Sequence, residues 1–203
     1  MGNLVVGFDL DMTLVDSADG IVAAITHVVE SHGRPADESA IRATLGLPLD
    51  LVFPQFLEGI PYPVLLAEYR AFYGDHGIPT CTALPGADAA LRVVRDAGGR
   101  ILVVTAKHAN QARLVLDVAG LEADDVAGEA FAEQKGKVLM TYGAAMYVGD
   151  HIGDVAGARA ARTLSVGVAT GPTSADDLRA AGADVVFEGL TEFPTWFEQW
   201  LSR

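Results

Sequence analysis

The sequence predicts an α/β protein: a parallel sheet with helices on both faces and an all-helical unit inserted after the first strand. Three observations point there. Short, continuous apolar runs recur at 4–8, 100–105, 145–149 and 164–168, as expected of strands buried on both faces. Helix-period segments separate the later runs, and such alternation builds a parallel sheet. Between the first strand and Pro85, by contrast, helical patterns follow one another with no convincing strand.

The first strand, Leu4-Val5-Val6-Gly7-Phe8, runs into Asp9-Leu10-Asp11-Met12-Thr13. Carboxylates at i and i+2 share one side of an extended strand, and burying them is costly unless a cation answers the charge. Helical spacing then covers about 18–31, 38–45, 49–57 and 63–73. This stretch is too long for a connection and too patterned for a linker. It reads as a helical cap over 16–83, placed above the sheet edge where Asp9 and Asp11 emerge, with a core made of 1–15 and 84–203. The core continues with a helix over 87–97 that stops at Gly98-Gly99, a strand over 100–105, and a helix over 108–119 that stops at Gly120. A weak strand at 126–131, a helix at 133–142, a strand at 145–149 and a helix at 155–161 follow. The last elements are a strand at 164–168, a helix at 174–181 and a short strand at 185–187. Trp196, Phe197 and Trp200 have the spacing of a terminal helix packed on the sheet.

At 203 residues, half of them apolar and a fifth charged, the chain has the makings of one substantial core. No apolar run reaches the roughly 20 residues needed to span a bilayer. The single cysteine, Cys81, rules out a disulfide framework. With no basic leader ahead of the first strand, a cytoplasmic protein is expected, without membrane or nucleic-acid partners, as a monomer or homodimer. The net charge of −13 opposes nucleic-acid binding. It also means that any anionic ligand needs local positive charge.

Four places carry polar residues at strand ends or helix starts and should converge at the carboxyl edge of the sheet. They are Asp9, Asp11 and Thr13; Thr105; Lys135; and Asp150 with Asp154. Several carboxylates around one point suit a hard cation such as Mg²⁺. One carboxylate can attack phosphorus to form an aspartyl-phosphate, and a second can move the proton. A threonine hydroxyl and a lysine ammonium can neutralise the transferring oxygens.

Asp9-x-Asp11-x-Thr13, Thr105 after a strand, Lys135, and Gly149-Asp150-x-x-x-Asp154 together resemble the four signature motifs of the haloacid dehalogenase-like hydrolases, in that family's order. The insertion resembles the family's helical cap on a Rossmann-like core. Asp16-Ser17 and Gly46-Leu47-Pro48-Leu49 resemble its phosphoglycolate-phosphatase-like members. The resemblance implies that Asp9 is the nucleophile and a Mg²⁺ ligand. Asp11 would be the general acid and base, its backbone carbonyl also reaching the metal. Asp150 would be a further ligand, and Asp154 would support the metal or its water. Thr105 and the Ala106 amide would hold the phosphoryl group, with Lys135 pairing its charge. Thr13, Lys107 and, from the cap, Arg42 and Gly46 are the remaining candidates for substrate contact. The substrate implied is a small phosphorylated metabolite, phosphoglycolate or similar.

Two positions depart from the family pattern: Met12 stands where glycine is usual, and Ala106 where asparagine is usual. Lys137 is an alternative to Lys135, whose spacing before the helix fits the pattern better. Within the family, the acid at Asp11 separates phosphatases from dehalogenases. The absence of lysine from 16–83 removes the Schiff-base chemistry of phosphonatase-like members, and the absence of histidine from 16–25 disfavours a phosphomutase. The rival readings are that phosphomutase, a non-catalytic phosphate-sensing module, or simpler roles for single residues. Thr13, Thr105 and Asp150 suit helix N-caps, the lysines a solvated surface, and His27, His108 and His151 structural positions. A Ca²⁺ loop is excluded because its sixth and twelfth positions would be Leu14 and Gly20.

Overall fold

The computed structural model describes residues 4–203. Six strands form one parallel sheet: β1 (Val5–Phe8), β4 (Arg100–Val104), β5 (Asp125–Ala127), β6 (Met146–Gly149), β7 (Leu164–Val168) and β8 (Val185–Phe187). Their spatial order is β5-β4-β1-β6-β7-β8. The chain leaves β1 toward one edge and returns on its other side at β6, so β1 and β6 flank the topological switch point where such sheets bind ligands.

The strand pleat divides the core between two faces. Val6, Phe8, Ile101, Val103, Met146 and Val148 belong to one apolar cluster. Their alternates Val5, Leu102, Val104 and Tyr147 belong to another. Helices α5 (Ala87–Asp96) and α6 (Ala109–Ala119) supply the first face, together with the terminal α10 (Phe193–Leu201). Helices α7 (Glu133–Tyr142) and α8 (Ile152–Ala161) supply the second, and α9 (Ala175–Ala181) packs beside α8. Gly7 brings α7 close: a Cβ there would sit 2.8 Å from Leu139 and Tyr147. In α10 the fully buried residues are Phe193 and Phe197, whose rings stack at 5.3 Å, while Trp196 and Trp200 are only partly buried against the same cluster.

Residues 18–72 contain α1 (Ala18–Ser31), α2 (Glu38–Arg42), α3 (Leu49–Val52) and α4 (Tyr62–Phe72). The second and third are shorter than their sequence patterns suggest. The chain after α2 passes into turns, and α3 gives way to a 3-10 turn at Phe53–Gln55 with Pro54 in its first positions. After α4 a π-helical turn spans Tyr73–Gly77. A correction concerns strands, since 16–83 is not free of them. Val15–Asp16 (β2) pairs antiparallel with Thr82–Ala83 (β3), tying together the two chain crossings at the base of the inserted helices. The apolar cluster of the first sheet face continues into these helices through Leu14, Ile25, Val28, Phe53, Tyr69 and Tyr73. Among the described residues, no helix is long and apolar enough to cross a membrane.

Truncating the α10 anchor should be costly. Phe197→Ala removes a ring that is 0% exposed and should lower unfolding free energy by about 3–5 kcal/mol, read as a lower urea midpoint with unchanged slope.

Candidate active site

Four strand ends converge at the carboxyl edge of the sheet. Asp9 follows β1, Thr105 follows β4, Asp150 follows β6, and the loop after β7 brings Thr170 and Gly171. Lys135 reaches the same point from the first turn of α7, and Asp154 from that of α8. Carboxylate oxygens of Asp9, Asp150 and Asp154, all buried, lie within 4.8 Å of one another. Lys135 Nζ sits 2.6 Å from Asp154 Oδ1 and 2.9 Å from Asp9 Oδ1, with 3% of the residue exposed. Lys137 points outward and does not line the cavity above.

This cluster is held from behind. The Thr13 hydroxyl donates to Asp150 Oδ1 at 2.9 Å. Asp154 Oδ2 accepts from the His151 amide at 3.0 Å, closing a capping box at the start of α8. Glycines make room for it: a Cβ on Gly149 would overlap Asp154, and one on Gly171 would overlap Asp150 Oδ2. That same Asp150 oxygen is buried with no hydrogen-bond partner.

Three buried carboxylates against one ammonium leave an uncompensated charge. Burial pushes Asp9 from 3.8 up to about 7, with Lys135 opposing and Asp154 reinforcing the rise. Burial, then repulsion from Asp154 and Asp9, drives Asp150 well above the ordinary carboxylate range. Burial draws Lys135 down, but Asp154 and Asp9 more than reverse it and hold it firmly protonated. A divalent hard cation fits these oxygen donors. It would supply the missing charge and a partner for the orphaned Asp150 oxygen.

Asp11 is arranged differently. β1 ends at Phe8, so the shared-side argument for an extended strand does not apply to Asp9 and Asp11. The chain turns instead at Met12, whose φ of +59° is left-handed. This explains why glycine is usual there, since only glycine enters that region without steric cost. Met12 is held by its amide donating to Val15 O (2.8 Å) and its carbonyl accepting from the Thr170 hydroxyl (2.5 Å). The Asp11 carboxylate, just before this turn, lies outside the three-aspartate cluster. There Ser17 Oγ donates to Oδ1 at 2.6 Å and Lys107 Nζ lies 3.3 Å from the same oxygen. Lys107 is itself largely buried and sits 4.0 Å from the centre of the Tyr73 ring.

Above these groups lies a cavity of about 800 Å³ between the inserted helices and the sheet edge, lined by Asp9, Asp11, Thr105, Ala106, Lys107 and Lys135 among others. Gly46 lines it too, with φ +89° and a virtual Cβ only 3.0 Å from the His151 ring. Two substrate-contact expectations are corrected. Arg42 lies outside the lining, its guanidinium 2.6 Å from Asp19 Oδ1 on a half-exposed surface. Thr13 is fully buried and spends its hydroxyl on Asp150. Thr170, Gly171 and Arg70 join the site without having been sequence candidates. Gly171 directly after a strand-end threonine was the only sequence signal for the first two, and Arg70 carried none on its amphipathic helix.

Two measurements follow from the charge imbalance. Asp9 has its folded pKa raised, so the unfolded chain ionises first as pH climbs. The metal-free protein therefore loses stability from this group between about pH 4 and 7, and the penalty is full above 7. Mg²⁺ should raise the melting temperature more at pH 8 than at pH 5. Gly171→Ala, which crowds Asp150 Oδ2, should shrink that Mg²⁺-dependent shift at pH 8.

The haloacid dehalogenase-like hydrolase family model matches residues 6–169. A relative from Dickeya dadantii (strain 3937), named probable phosphatase IndB, is 32% identical over 91% of this chain and 89% of its own. A phosphoglycolate phosphatase from Rhodospirillum rubrum is 28% identical over 93% of this chain and 88% of its own. Among solved structures, a haloacid dehalogenase-like family protein, SP0104 from Streptococcus pneumoniae, superposes with a TM-score of 0.85 at 24% identity, covering 96% of this chain and 98% of that one. The parallel sheet, the order of the strand-end residues and the family match agree: this chain belongs to the haloacid dehalogenase-like hydrolases.

Proposed function

We propose that the protein is a Mg²⁺-dependent phosphomonoesterase working through an aspartyl-phosphate. The observation that carries this reading is the division of labour between the first two aspartates. Asp9 lies in the buried cluster with Asp150 and Asp154, while Asp11 lies outside it, held by Ser17 and Lys107 at the cavity wall.

In this reading Asp9 Oδ attacks phosphorus from the floor of the cavity. The bond from phosphorus to the ester oxygen breaks, and Asp11 gives that oxygen its proton. Water then attacks the acyl-phosphate, Asp11 takes its proton, and the phosphorus–Asp9 bond breaks to release inorganic phosphate. Thr105 and the Ala106 amide hold the phosphoryl oxygens, and Lys135 offsets their charge. Ser17 and Lys107 both engage Asp11 Oδ1, which leaves Oδ2 for the proton transfer. Mg²⁺, held by Asp9, Asp150 and Asp154 with the Asp11 carbonyl, would neutralise charge on the transferring group. Gly46 over His151 is where the inserted helices meet the core loop, a contact suited to excluding water. A small phosphorylated metabolite in the cytoplasm is the natural substrate pool, and the relatives named phosphoglycolate phosphatase make that compound the benchmark to test first.

Asp9→Asn should abolish Mg²⁺-dependent release of phosphate from p-nitrophenyl phosphate. Retained turnover in that variant would refute the mechanism. Asp11→Asn should keep the Mg²⁺-dependent thermal shift yet slow turnover by about 10²–10⁴-fold.

A further inference from the structure

The chemistry at the cavity floor occupies a small part of its volume. At about 800 Å³ the cavity lies within the ~300–1,000 Å³ that encloses drug-sized ligands, far more than phosphate and a two-carbon acid would fill. Away from the floor, the inserted helices and loops line it with Ile21, Leu45, Leu47, Leu49, Tyr62 and Leu66.

The charges around this space are equally informative. Among the described residues lining it, the lysines and the arginine each already have a carboxylate partner. Lys135 is held by Asp154 and Asp9, Lys107 by Asp11, and Arg70 by Glu129 at 2.9 Å. Asp50 and Glu133 add further negative charge to the wall. A substrate carrying a carboxylate beyond its phosphate would meet a net-negative wall whose cations are taken. The His151 ring at the cavity edge has its Nδ1 engaged by the Gly153 amide. An uncharged hydrocarbon would instead cover the apolar wall.

We propose that the organic part of the substrate is uncharged and apolar, an aryl or medium-length alkyl group, seated against the inserted helices with its phosphate on the floor. This rests on the phosphatase reading above. In this assignment Leu47 and Leu66 read the leaving group, and phosphoglycolate is a poor substrate.

A series of n-alkyl phosphates tests it, because the leaving alcohols differ little in acidity while their apolar area grows. With Mg²⁺ present, kcat/KM should rise by up to about fourfold per added methylene from methyl to hexyl phosphate, and propyl phosphate should outpace phosphoglycolate. Binding of the unreactive n-alkylphosphonates, followed by calorimetry, should show the same chain-length trend. Leu66→Asp should flatten both trends, while Leu66→Phe keeps them and reports that the fold is intact. A flat series, or phosphoglycolate preferred over propyl phosphate, overturns the inference while leaving the phosphatase standing. If no phosphomonoester is hydrolysed but phosphonate affinity still climbs with chain length, the reaction is wrong and the apolar site stands.

Discussion

The site is organised by an electrostatic debt: three buried carboxylates, Asp9, Asp150 and Asp154, share one ammonium, that of Lys135. Such a cluster is tolerable only where the backbone positions it rigidly and a further cation can be admitted. The parallel sheet does the positioning. Strands β1 and β6 lie side by side at the switch point, so the carboxylates that follow each arrive within 4.8 Å of one another. Helices α7 and α8 deliver the lysine and the third carboxylate from their first turns. Glycines at 149 and 171 leave room where any side chain would collide.

Asp9 and Asp11 are chemically identical yet differently placed, Asp9 in the buried cluster and Asp11 beside Ser17 and Lys107. Directly after Asp11 the chain turns at Met12 in the left-handed region. A methionine in that conformation carries a steric cost of about 1–2 kcal/mol. The Thr170 hydroxyl bond to its carbonyl and the packing of its side chain against the core help to offset it. The loop after β7 thus meets two parts of the site, since Thr170 braces the turn after Asp11 and Gly171 leaves space for Asp150.

The inserted helices share the apolar cluster of one sheet face, so they are anchored to the core at their base. Their cavity side is richer in apolar side chains than the floor, although Asp50 and Arg70 also line it. The Arg70–Glu129 pair bridges helix α4 to the loop before α7 at one side.

Much of this was legible in the linear chain. Apolar runs marked the central strands closely, because burial on both faces demands continuous apolar side chains, whereas the half-buried edge strand expected at 126–131 is only Asp125–Ala127. The order of Asp9, Thr105, Lys135, Asp150 and Asp154 at element boundaries pointed to one shared edge. Spacing along a chain cannot, however, say where a side chain points. Arg42 and Thr13 were both candidates for substrate contact, yet one pairs with Asp19 on the surface and the other with Asp150 in the interior. Thr170 and Gly171 carry only the weak signal of a glycine after a threonine near a strand end, and Arg70 carries none. The sequence by itself determined the class of fold and the chemical inventory of the site, since both follow from residue type and period. Only the tertiary structure decided which aspartate joins the cluster, which lysine answers it and what kind of wall faces the ligand, because those depend on backbone torsions and on contacts between residues far apart in the chain.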